Sequence, residues 1–515
     1  MTKKLKVIQT VCLLSIVALL VLSGCSSSGA PKEEKPSSAQ SSATASGSPA
    51  STPELEPYEI VFAYPGNQPK DLAEVQAAIS AVTQQKINAT VKLMPISFSA
   101  WAQQTNLMLA GNEKVDVMFT GSDFSYSTLV SKNQLLPLND LLDQYGTGIK
   151  DQLSPEILAT SMVKGEVYAV PSIRDFAAEY GITMRKDIID KYGIDISAIK
   201  APSDLTAVFK AVKDNEPYMT PLVLSGQTNT FVETLLGGQF DTLSDKLGVL
   251  PLSGNTDKIV NFYETQEYAD MLNLVREWYM AGYISKDAAT SKELGSDLVK
   301  AQRAFSYMDG MKPGYEQQSS RLTATEMVVA RLTPSITTTN RIANVMMSIP
   351  RNTEDAERSM MFLNLMYTDP ELVNLFDNGI EGKHYVKASD NLIQFPSGVD
   401  SSTSGYPSIN YMIGNNFLSY VWIGDDPEIW TKMQAFNDSS TKSQALGITF
   451  DLESVKTEVA AVNNVKAQFR MGLETGTFDP AQMLPDFIAK LKGAGIDKII
   501  AEKQKQYDEW KATKS

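Results

Sequence analysis

The chain has 515 residues, is 43% hydrophobic and carries a formal net charge of −14 at pH 7. This length exceeds one ordinary domain, so two or more folding units are expected. The acidic balance argues against a nucleic-acid partner, because phosphate binding needs a basic face. With His384 as its one histidine and only Cys12 and Cys25 as cysteines, the chain is not expected to hold a cofactor, a metal site or a disulfide framework.

The first 25 residues have the pattern of a bacterial lipoprotein signal. Three lysines within residues 1–6 precede an apolar run from Val7 to Leu22, which is typical of a signal peptide. The run ends in Leu22-Ser23-Gly24-Cys25, which resembles a lipobox, the motif whose cysteine is acylated. We predict a signal peptide over 1–24 and lipidation of Cys25, which would anchor the chain at the extracellular face of a Gram-positive cell membrane. An ordinary secretory signal or an uncleaved anchor is the alternative.

A linker is predicted between the acylated cysteine and the folded body. Residues 26–57 are almost all small, polar or charged, and Leu55 is their one large apolar residue. Such a composition cannot bury enough surface to order itself, so 25–57 is predicted to be a lipidated cysteine followed by a flexible tether of roughly 30 Å root-mean-square span. The body then begins near Tyr58. No later segment is apolar over about 18 consecutive residues, so no other membrane span is predicted.

The body opens with alternating strand and helix patterns. The apolar run Ile60–Tyr64 predicts a buried strand that ends at Pro65-Gly66. Leu72, Val75, Ile79 and Val82 recur at helical spacing and predict an amphipathic helix. Two further strands, over 89–93 and 115–119, enclose a second helix. This order favours an α/β fold with a mostly parallel sheet, in which ligands bind beyond the carboxyl ends of the strands.

Ten stretches along the body together resemble one known family. They include YEIVFAYPGNQPKDL at 58–72, NQLLPLNDLLDQYG at 133–146, GEVYAVP at 165–171, REWYMAGYISKDAA at 276–289 and FSYMDGMKPGYE at 305–316. In this order they resemble the extracellular solute-binding proteins of family 1, the receptors of sugar-type ABC importers. The tail stretches LGITFD at 446–451 and GAGIDKIIAEKQKQYDEW at 493–510 resemble the uncharacterised C-terminal domain of a lipoprotein subgroup.

The resemblance implies two α/β lobes of the periplasmic-binding-protein type, each a sheet flanked by helices, joined by a hinge. Ligand would bind between the lobes, and closure would present it to the permease. Crossings between lobes are predicted near Tyr168–Pro171, Met327–Leu332 and Val345–Pro350. The predicted segments are 58–170 in the first lobe, 171–326 in the second, 327–350 returning toward the first, 351–439 in the second lobe and cleft loops, and 440–515 as a helical C-terminal domain.

The expected contacts with a sugar are aromatic rings beside charged or amide groups, because a sugar offers hydroxyls and apolar ring faces. The predicted ligand-binding residues are Tyr64, Trp101, Phe124, Tyr168, Arg174, Asp175, Tyr307, Asp309, Lys312 and Trp422. Trp430 lies in the same late loop as Trp422. Core packing is the competing interpretation for each aromatic residue, and an exposed surface is that for Arg174 and Lys312. Trp278 is predicted to be a core residue and His384 a structural hydrogen-bonding residue.

The predicted function is reversible binding of a saccharide or oligosaccharide by a monomer that works with ABC permease subunits and catalyses no reaction. A uronic-acid-containing ligand is favoured if Arg174 and Lys312 both face the cleft. Three alternatives stay open: a sensor or adhesion lipoprotein of the same fold, a receptor for a peptide or other small solute, and a glycosidase using carboxylates such as Asp309 and Glu316. Neither a Gly-x-Ser-x-Gly elbow nor a Walker-type loop occurs in the chain, which makes an enzyme the weaker alternative.

Overall fold

The computed structural model describes residues 55–226, 229–254, 256–407 and 412–514. The predicted signal peptide, Cys25 and most of the predicted linker lie outside these residues. Within the described ranges, no helix is long and apolar enough to cross a membrane.

The described residues form an α/β fold. In chain order the strands are β1 (Tyr58–Pro65), β2 (Ala89–Ile96), β3 (Val117–Thr120), β4 (Met162–Val163), β5 (Glu166–Val167), β6 (Val170–Pro171), β7 (Ala177–Arg185), β8 (Thr220–Leu224), β9 (Phe240–Asp241), β10 (Leu250–Pro251), β11 (Ala304–Met311), β12 (Met327–Arg331), β13 (Ile336–Thr337), β14 (Met346–Ser348), β15 (Val386–Lys387), β16 (Leu392–Gln394), β17 (Val421–Trp422) and β18 (Thr441–Lys442). The helices are α1 (Leu72–Ile87), α2 (Phe98–Ala110), α3 (Tyr126–Ser131), α4 (Asn139–Tyr145), α5 (Thr147–Gln152), α6 (Pro155–Leu158), α7 (Lys186–Tyr192), α8 (Leu205–Asn215), α9 (Phe231–Leu236), α10 (Gln266–Met280), α11 (Gly295–Lys300), α12 (Tyr315–Thr323), α13 (Thr339–Ala343), α14 (Ala356–Thr368), α15 (Pro370–Asn378), α16 (Ile429–Ser439), α17 (Lys456–Glu474), α18 (Pro480–Ala494) and α19 (Ile496–Ala512).

The first lobe is built on a sheet of order β2-β1-β3-β14-β6. Strand β1 pairs in parallel with β2 and β3, whereas β14 runs antiparallel to β3 and β6. Val75 and Ile79 of α1 are fully buried against this sheet, as their helical spacing predicts. Phe62 of β1 packs edge-to-face on Phe362 of α14 and Phe376 of α15, with ring centroids 6.1 and 5.8 Å apart. The sheet and the helices on its faces therefore share one apolar core.

The second lobe is built on a sheet of order β18-β13-β7-β11-β8, with β12 also paired to β7. Strands β11, β12 and β13 run antiparallel to β7, and β8 runs parallel to β11. This sheet is therefore mixed, where the sequence predicts mostly parallel sheets. Trp278 of α10 is fully buried in this lobe, as predicted, and packs edge-to-face on Phe209 at 5.1 Å.

The C-terminal helices α17 to α19 pack into the same apolar core as the second lobe. Val462 and Phe469 of α17 and Ile499 of α19 are buried there. Gly495, at φ 98°, provides the left-handed backbone that separates α18 from α19.

Two parts of the predicted segment assignment are wrong. The run Met327–Leu332, expected to cross between lobes, forms β12, and its Val329 lies opposite Thr183 of β7 within the second sheet. Helices α14 and α15, expected in the second lobe, bury Phe362 and Phe376 in the first. An apolar pattern shows that a segment is buried but does not show which of two cores it joins. The other two predicted crossings, near Tyr168–Pro171 and Val345–Pro350, contribute β6 and β14 to the first sheet, and the chain crosses immediately beside them. The remaining segment boundaries stay predictions.

Candidate functional site

The first sheet turns the carboxyl ends of its parallel strands toward the second lobe. Strands β1, β2, β3 and β6 end at one edge, and β14 begins there, because Met346 lies opposite both Thr120 of β3 and Pro171 of β6. The chain leaves this edge after Pro171 and enters the second sheet at Ala177. It returns to the same edge between β13 and β14.

In the second sheet, the carboxyl ends of β8, β11 and β13 lie at the edge where the chain enters the sheet. Met311 at the end of β11 lies opposite Glu179, and Thr337 at the end of β13 lies opposite Ala177. Strand β8 is parallel to β11 and ends at the same edge. Ligands of open α/β sheets bind beyond such ends. We define the cleft as the space flanked by these two edges and by the crossing segments 172–176 and 338–345.

Four charged residues, which we call the hinge cluster, meet at the crossing segments: Arg174, Asp175, Lys312 and Arg341. The Asp175 carboxylate accepts a hydrogen bond from Arg174 Nε at 2.8 Å. It also accepts hydrogen bonds from Lys312 Nζ at 3.3 Å and from Arg341 Nη2 at 3.1 Å. Three residues predicted to bind ligand are thus brought together, and the structure adds Arg341 from α13.

The hinge cluster has an excess of positive charge. Burial alone would raise the pKa of Asp175, but the charges of Arg174, Lys312 and Arg341 outweigh it and lower that pKa to about 2. Burial lowers the pKa of the Lys312 ammonium, an effect that the Asp175 charge opposes. The side chains of Lys312 and Arg341 remain 29% and 31% exposed. The Asp175 carboxylate therefore faces three cations, and all three of their side chains still reach solvent, since that of Arg174 is 19% exposed.

Asn437 of α16 fixes the backbone of the first crossing segment, and sequence reasoning missed it. Its side-chain carbonyl accepts hydrogen bonds from the backbone N–H groups of Phe176 and Ala177, at 2.8 and 3.3 Å. Its amide donates to the Arg174 carbonyl at 2.7 Å. Nothing local in the sequence signals this role, because the contact joins segments about 260 residues apart.

Asp309 lies near the end of β11 on the second-lobe side of the cleft. Its carboxylate accepts hydrogen bonds from the Gly310 N–H at 2.8 Å and from the Tyr315 hydroxyl at 3.2 Å. Burial raises the pKa of Asp309, while these hydrogen bonds and the Arg341 charge act in the opposite direction. Asp309 therefore stays a candidate for ligand contact.

Three aromatic residues predicted to bind ligand are core residues instead. Tyr64, Trp101 and Tyr307 are only 2% to 3% exposed. Trp101 lies on the inward face of α2 with Met108, and its ring packs edge-to-face on Phe119 at 6.1 Å. The helical period that buries this face of α2 places Trp101 inside, whereas Tyr64 and Tyr307 lie on the strands β1 and β11. The expectation of direct ligand contact is corrected for all three residues, because each is almost fully buried.

The other predicted aromatic residues are partly exposed. Phe124 follows β3 and packs edge-to-face on Phe119 at 4.9 Å, and Tyr168 packs against the first-lobe core. Trp422 of β17 packs on Phe395 with the rings tilted by 37° and their centroids 4.3 Å apart. The Trp422 indole also donates to the side-chain carbonyl of Asn378 at 3.1 Å. Phe124, Tyr168 and Trp422 thus retain an accessible surface and remain candidate contacts.

Comparison with known protein families identifies the fold. Residues 66–371 match the model described as bacterial extracellular solute-binding protein. The chain belongs to this family. Its members are binding proteins, so the prediction that the chain is not an enzyme is confirmed. Residues 444–512, which include α17 to α19, match a domain of unknown function.

Similar solute-binding proteins are known from other bacteria. The carbohydrate ABC transporter substrate-binding protein of Streptococcus pneumoniae is 28% identical over 468 residues, which cover 89% of this chain and 91% of that protein. Lipoprotein LipO of Bacillus subtilis is 23% identical over 440 residues, which cover 81% and 79%. The crystal structure of the N-glycan transport solute binding protein NgtS from S. pneumoniae is 26% identical with a TM-score of 0.81, covering 89% of this chain and 100% of that one. NgtS is also known in complex with Man1GlcNAc and with Man5GlcNAc.

Two exposed residues at the cleft edge of this solute-binding protein were not among the predicted ligand-binding residues. Asn67 follows β1, and Phe98 lies two residues after the end of β2. Both are exposed, and both stand just beyond the carboxyl end of a parallel strand. The predicted strand order already placed the ligand site beyond the carboxyl ends of the strands. A residue directly after the second predicted strand could therefore have been selected from the sequence.

His384 is a structural residue, as predicted. It is 1% exposed, and its Nδ1 accepts a hydrogen bond from the Ile380 N–H at 2.8 Å. Its Nε2 lies 3.3 Å from an Asp71 carboxylate oxygen. The ring thus joins the loop after α15 to the residue that precedes α1.

Proposed function

We propose that the chain is a lipid-anchored extracellular receptor of an ABC importer, which binds an oligosaccharide reversibly in the cleft and delivers it to the permease. The observation that carries this proposal is the similarity, over 88% to 89% of the chain, to NgtS, whose complexes with Man1GlcNAc and Man5GlcNAc are known. The name of the S. pneumoniae relative supports a carbohydrate importer, and LipO supports a lipoprotein.

The placement of candidate contact residues on both lobes supports reversible binding with lobe closure. Asn67 and Phe98 belong to the first lobe, whereas Asp309 and Lys312 belong to the second. A ligand that touches both sets binds the closed arrangement better than the open one and so shifts the population toward it. No covalent step is required for this cycle.

The hinge cluster supports a ligand that carries a carboxylate, such as a uronic-acid residue. The side chains of Lys312 and Arg341 remain partly exposed, and Asp175 neutralises only part of their charge. Hydrogen bonds between such cations and a carboxylate are stronger than those to a neutral hydroxyl. We therefore expect the anionic residue of the saccharide at the base of the cleft.

Calorimetric titration and thermal unfolding of the mature chain carrying Cys25→Ser test this function. The neutral probes are Man1GlcNAc, Man5GlcNAc and kestose. An alginate trisaccharide is the uronic-acid-containing probe. A bound saccharide at about 100 times its dissociation constant is expected to stabilise the fold by about 2.7 kcal/mol and to be recovered intact. Lys312→Met is expected to weaken binding of the alginate trisaccharide more than that of a neutral probe.

Each outcome decides one part of the proposal. Binding of neutral saccharides without any binding of the alginate trisaccharide would reject the carboxylate at the cluster. If none of the four saccharides binds, the proposal of an oligosaccharide receptor is rejected. If a ligand is recovered in cleaved form, the chain acts as an enzyme and the proposal of reversible binding is rejected.

A further inference from the structure

Phe98 is an exposed aromatic residue at the cleft edge of the first lobe. It begins α2 directly beyond β2, and 54% of its surface is exposed. The inward face of α2 is formed by Trp101, Thr105, Met108 and Leu109, and Phe98 is not among these buried residues. Single exposed apolar side chains are common on protein surfaces, so the feature that points to a ligand is the position of this ring just beyond the carboxyl end of β2.

Phe98 and the hinge cluster stand at opposite ends of the cleft. In the first sheet β2 and β6 are the two outer strands, and β6 leads into Arg174 and Asp175. Four strand spacings separate β2 from β6, which corresponds to roughly 19 Å. The cleft thus has a charged base at the crossing segments and an apolar residue at its mouth.

The second lobe also places an apolar side chain at the outer strand of its sheet. Strand β8 lies at the outer edge, and Leu294 lies beside its carboxyl end, since the next residue, Gly295, donates to the Ser225 carbonyl at 3.3 Å. Leu294 is 46% exposed. Both lobes therefore carry an exposed apolar residue on the cleft side of an outer strand.

Exposure alone does not distinguish Phe98, because Tyr218 is 96% exposed. Tyr218, however, precedes β8, at the amino end of that strand and hence at the sheet edge opposite the cleft. The two aromatic residues thus form a natural pair for comparison, one at the cleft edge and one away from it.

We propose that Phe98 stacks on the apolar face of a sugar ring at the mouth of the cleft, and that Leu294 covers the same sugar from the second lobe on closure. This inference rests on the proposed function and deepens it, because a ligand that reaches both Phe98 and the hinge cluster must be an oligosaccharide. The C–H face of a pyranose packs on an aromatic ring as other apolar groups do. A contact completed only when the lobes close also favours the closed state.

The test compares variants of the mature Cys25→Ser chain by calorimetric titration. The ligands are those of the four saccharides that the chain without further substitution binds. Phe98→Ala is expected to weaken binding about tenfold, whereas Phe98→Trp retains it. Leu294→Ala is expected to weaken binding less than Phe98→Ala. Tyr218→Ala is the matched control and should leave the affinity unchanged. Because Phe98 is exposed, the unfolding temperature of Phe98→Ala should equal that of the unaltered chain.

Two failures are distinguishable. If the unaltered chain binds a saccharide and Phe98→Ala binds it equally tightly, the role of Phe98 is refuted while the proposed function stands. If the unaltered chain binds none of the four, the proposed function fails, and the inference fails with it.

Discussion

Asp175 controls the charge at the base of the cleft. It is 5% exposed and accepts hydrogen bonds from three cationic side chains that come from a crossing segment, a strand end and a helix. Because its folded-state pKa of about 2 lies below the ordinary value of 3.8, it contributes stability above about pH 4. That contribution is lost as the pH falls from about 4 to about 2.

Asp175→Asn is expected to lower the free energy of unfolding at pH 7 by about 3 kcal/mol, because it leaves three neighbouring cations without a counter-charge. Urea denaturation at pH 7 and at pH 3 measures the effect, and the gap between variant and unaltered chain should narrow at pH 3. Asp309→Asn is the control, because burial raises the pKa of Asp309. The fold therefore favours the charged form of Asp309 less than that of Asp175. An equal cost for the two substitutions would contradict this view of Asp175.

At the scale of elements, the segment Ala445–Ile448 joins the two lobes. Leu446 is buried in the first-lobe core, whereas Ala445 and Ile448 pack with Tyr507 of α19. The Gly447 N–H donates to Thr339 Oγ1 at 2.9 Å, which ties the segment to the second crossing. Part of the domain of unknown function thus connects the C-terminal helices to both lobes.

Leu446→Ala is expected to destabilise the fold by about 3 kcal/mol, because it removes a buried side chain and leaves a cavity. Leu107→Ala is the matched control, since Leu107 is 62% exposed on α2 and its removal leaves no cavity. Urea denaturation of both variants at pH 7 gives the comparison. If both substitutions cost the same, Leu446 does not hold the segment in place.

At the scale of the whole molecule, we propose that the receptor is held at the membrane through Cys25. Cys25→Ser is expected to release the protein into the medium, whereas the unaltered chain stays in the membrane fraction, because stable anchoring needs the acyl chains. Cys12→Ser is the matched control and should remain membrane-bound, since Cys12 lies in the segment predicted to be removed. Fractionation with immunoblotting measures both, and equal release of the two variants would refute acylation at Cys25.

Local patterns predicted the strands and helices well, but they predicted poorly which aromatic side chains are buried. The strand over Ile60–Tyr64 and the buried positions Val75 and Ile79 follow from periodicity, because these residues face one sheet over a short stretch of chain. Trp101 and Trp278 both lie on helices, and both are buried, yet only Trp278 was assigned to the core. An aromatic residue near a predicted cleft gives no local sign of whether its helix turns it inward or outward.

By itself, the sequence determined the α/β class, the first strands and helices and the family resemblance, because each depends on residue type and short-range spacing. It named Arg174, Asp175 and Lys312 only as separate candidates for ligand contact. Only the tertiary structure assigned α14 and α15 to the first lobe, placed β12 in the second sheet, and brought Arg341 and Asn437 to the crossing segments. These contacts join residues more than 130 positions apart. Their partners are selected by packing and by charge in the folded chain, which no local pattern records.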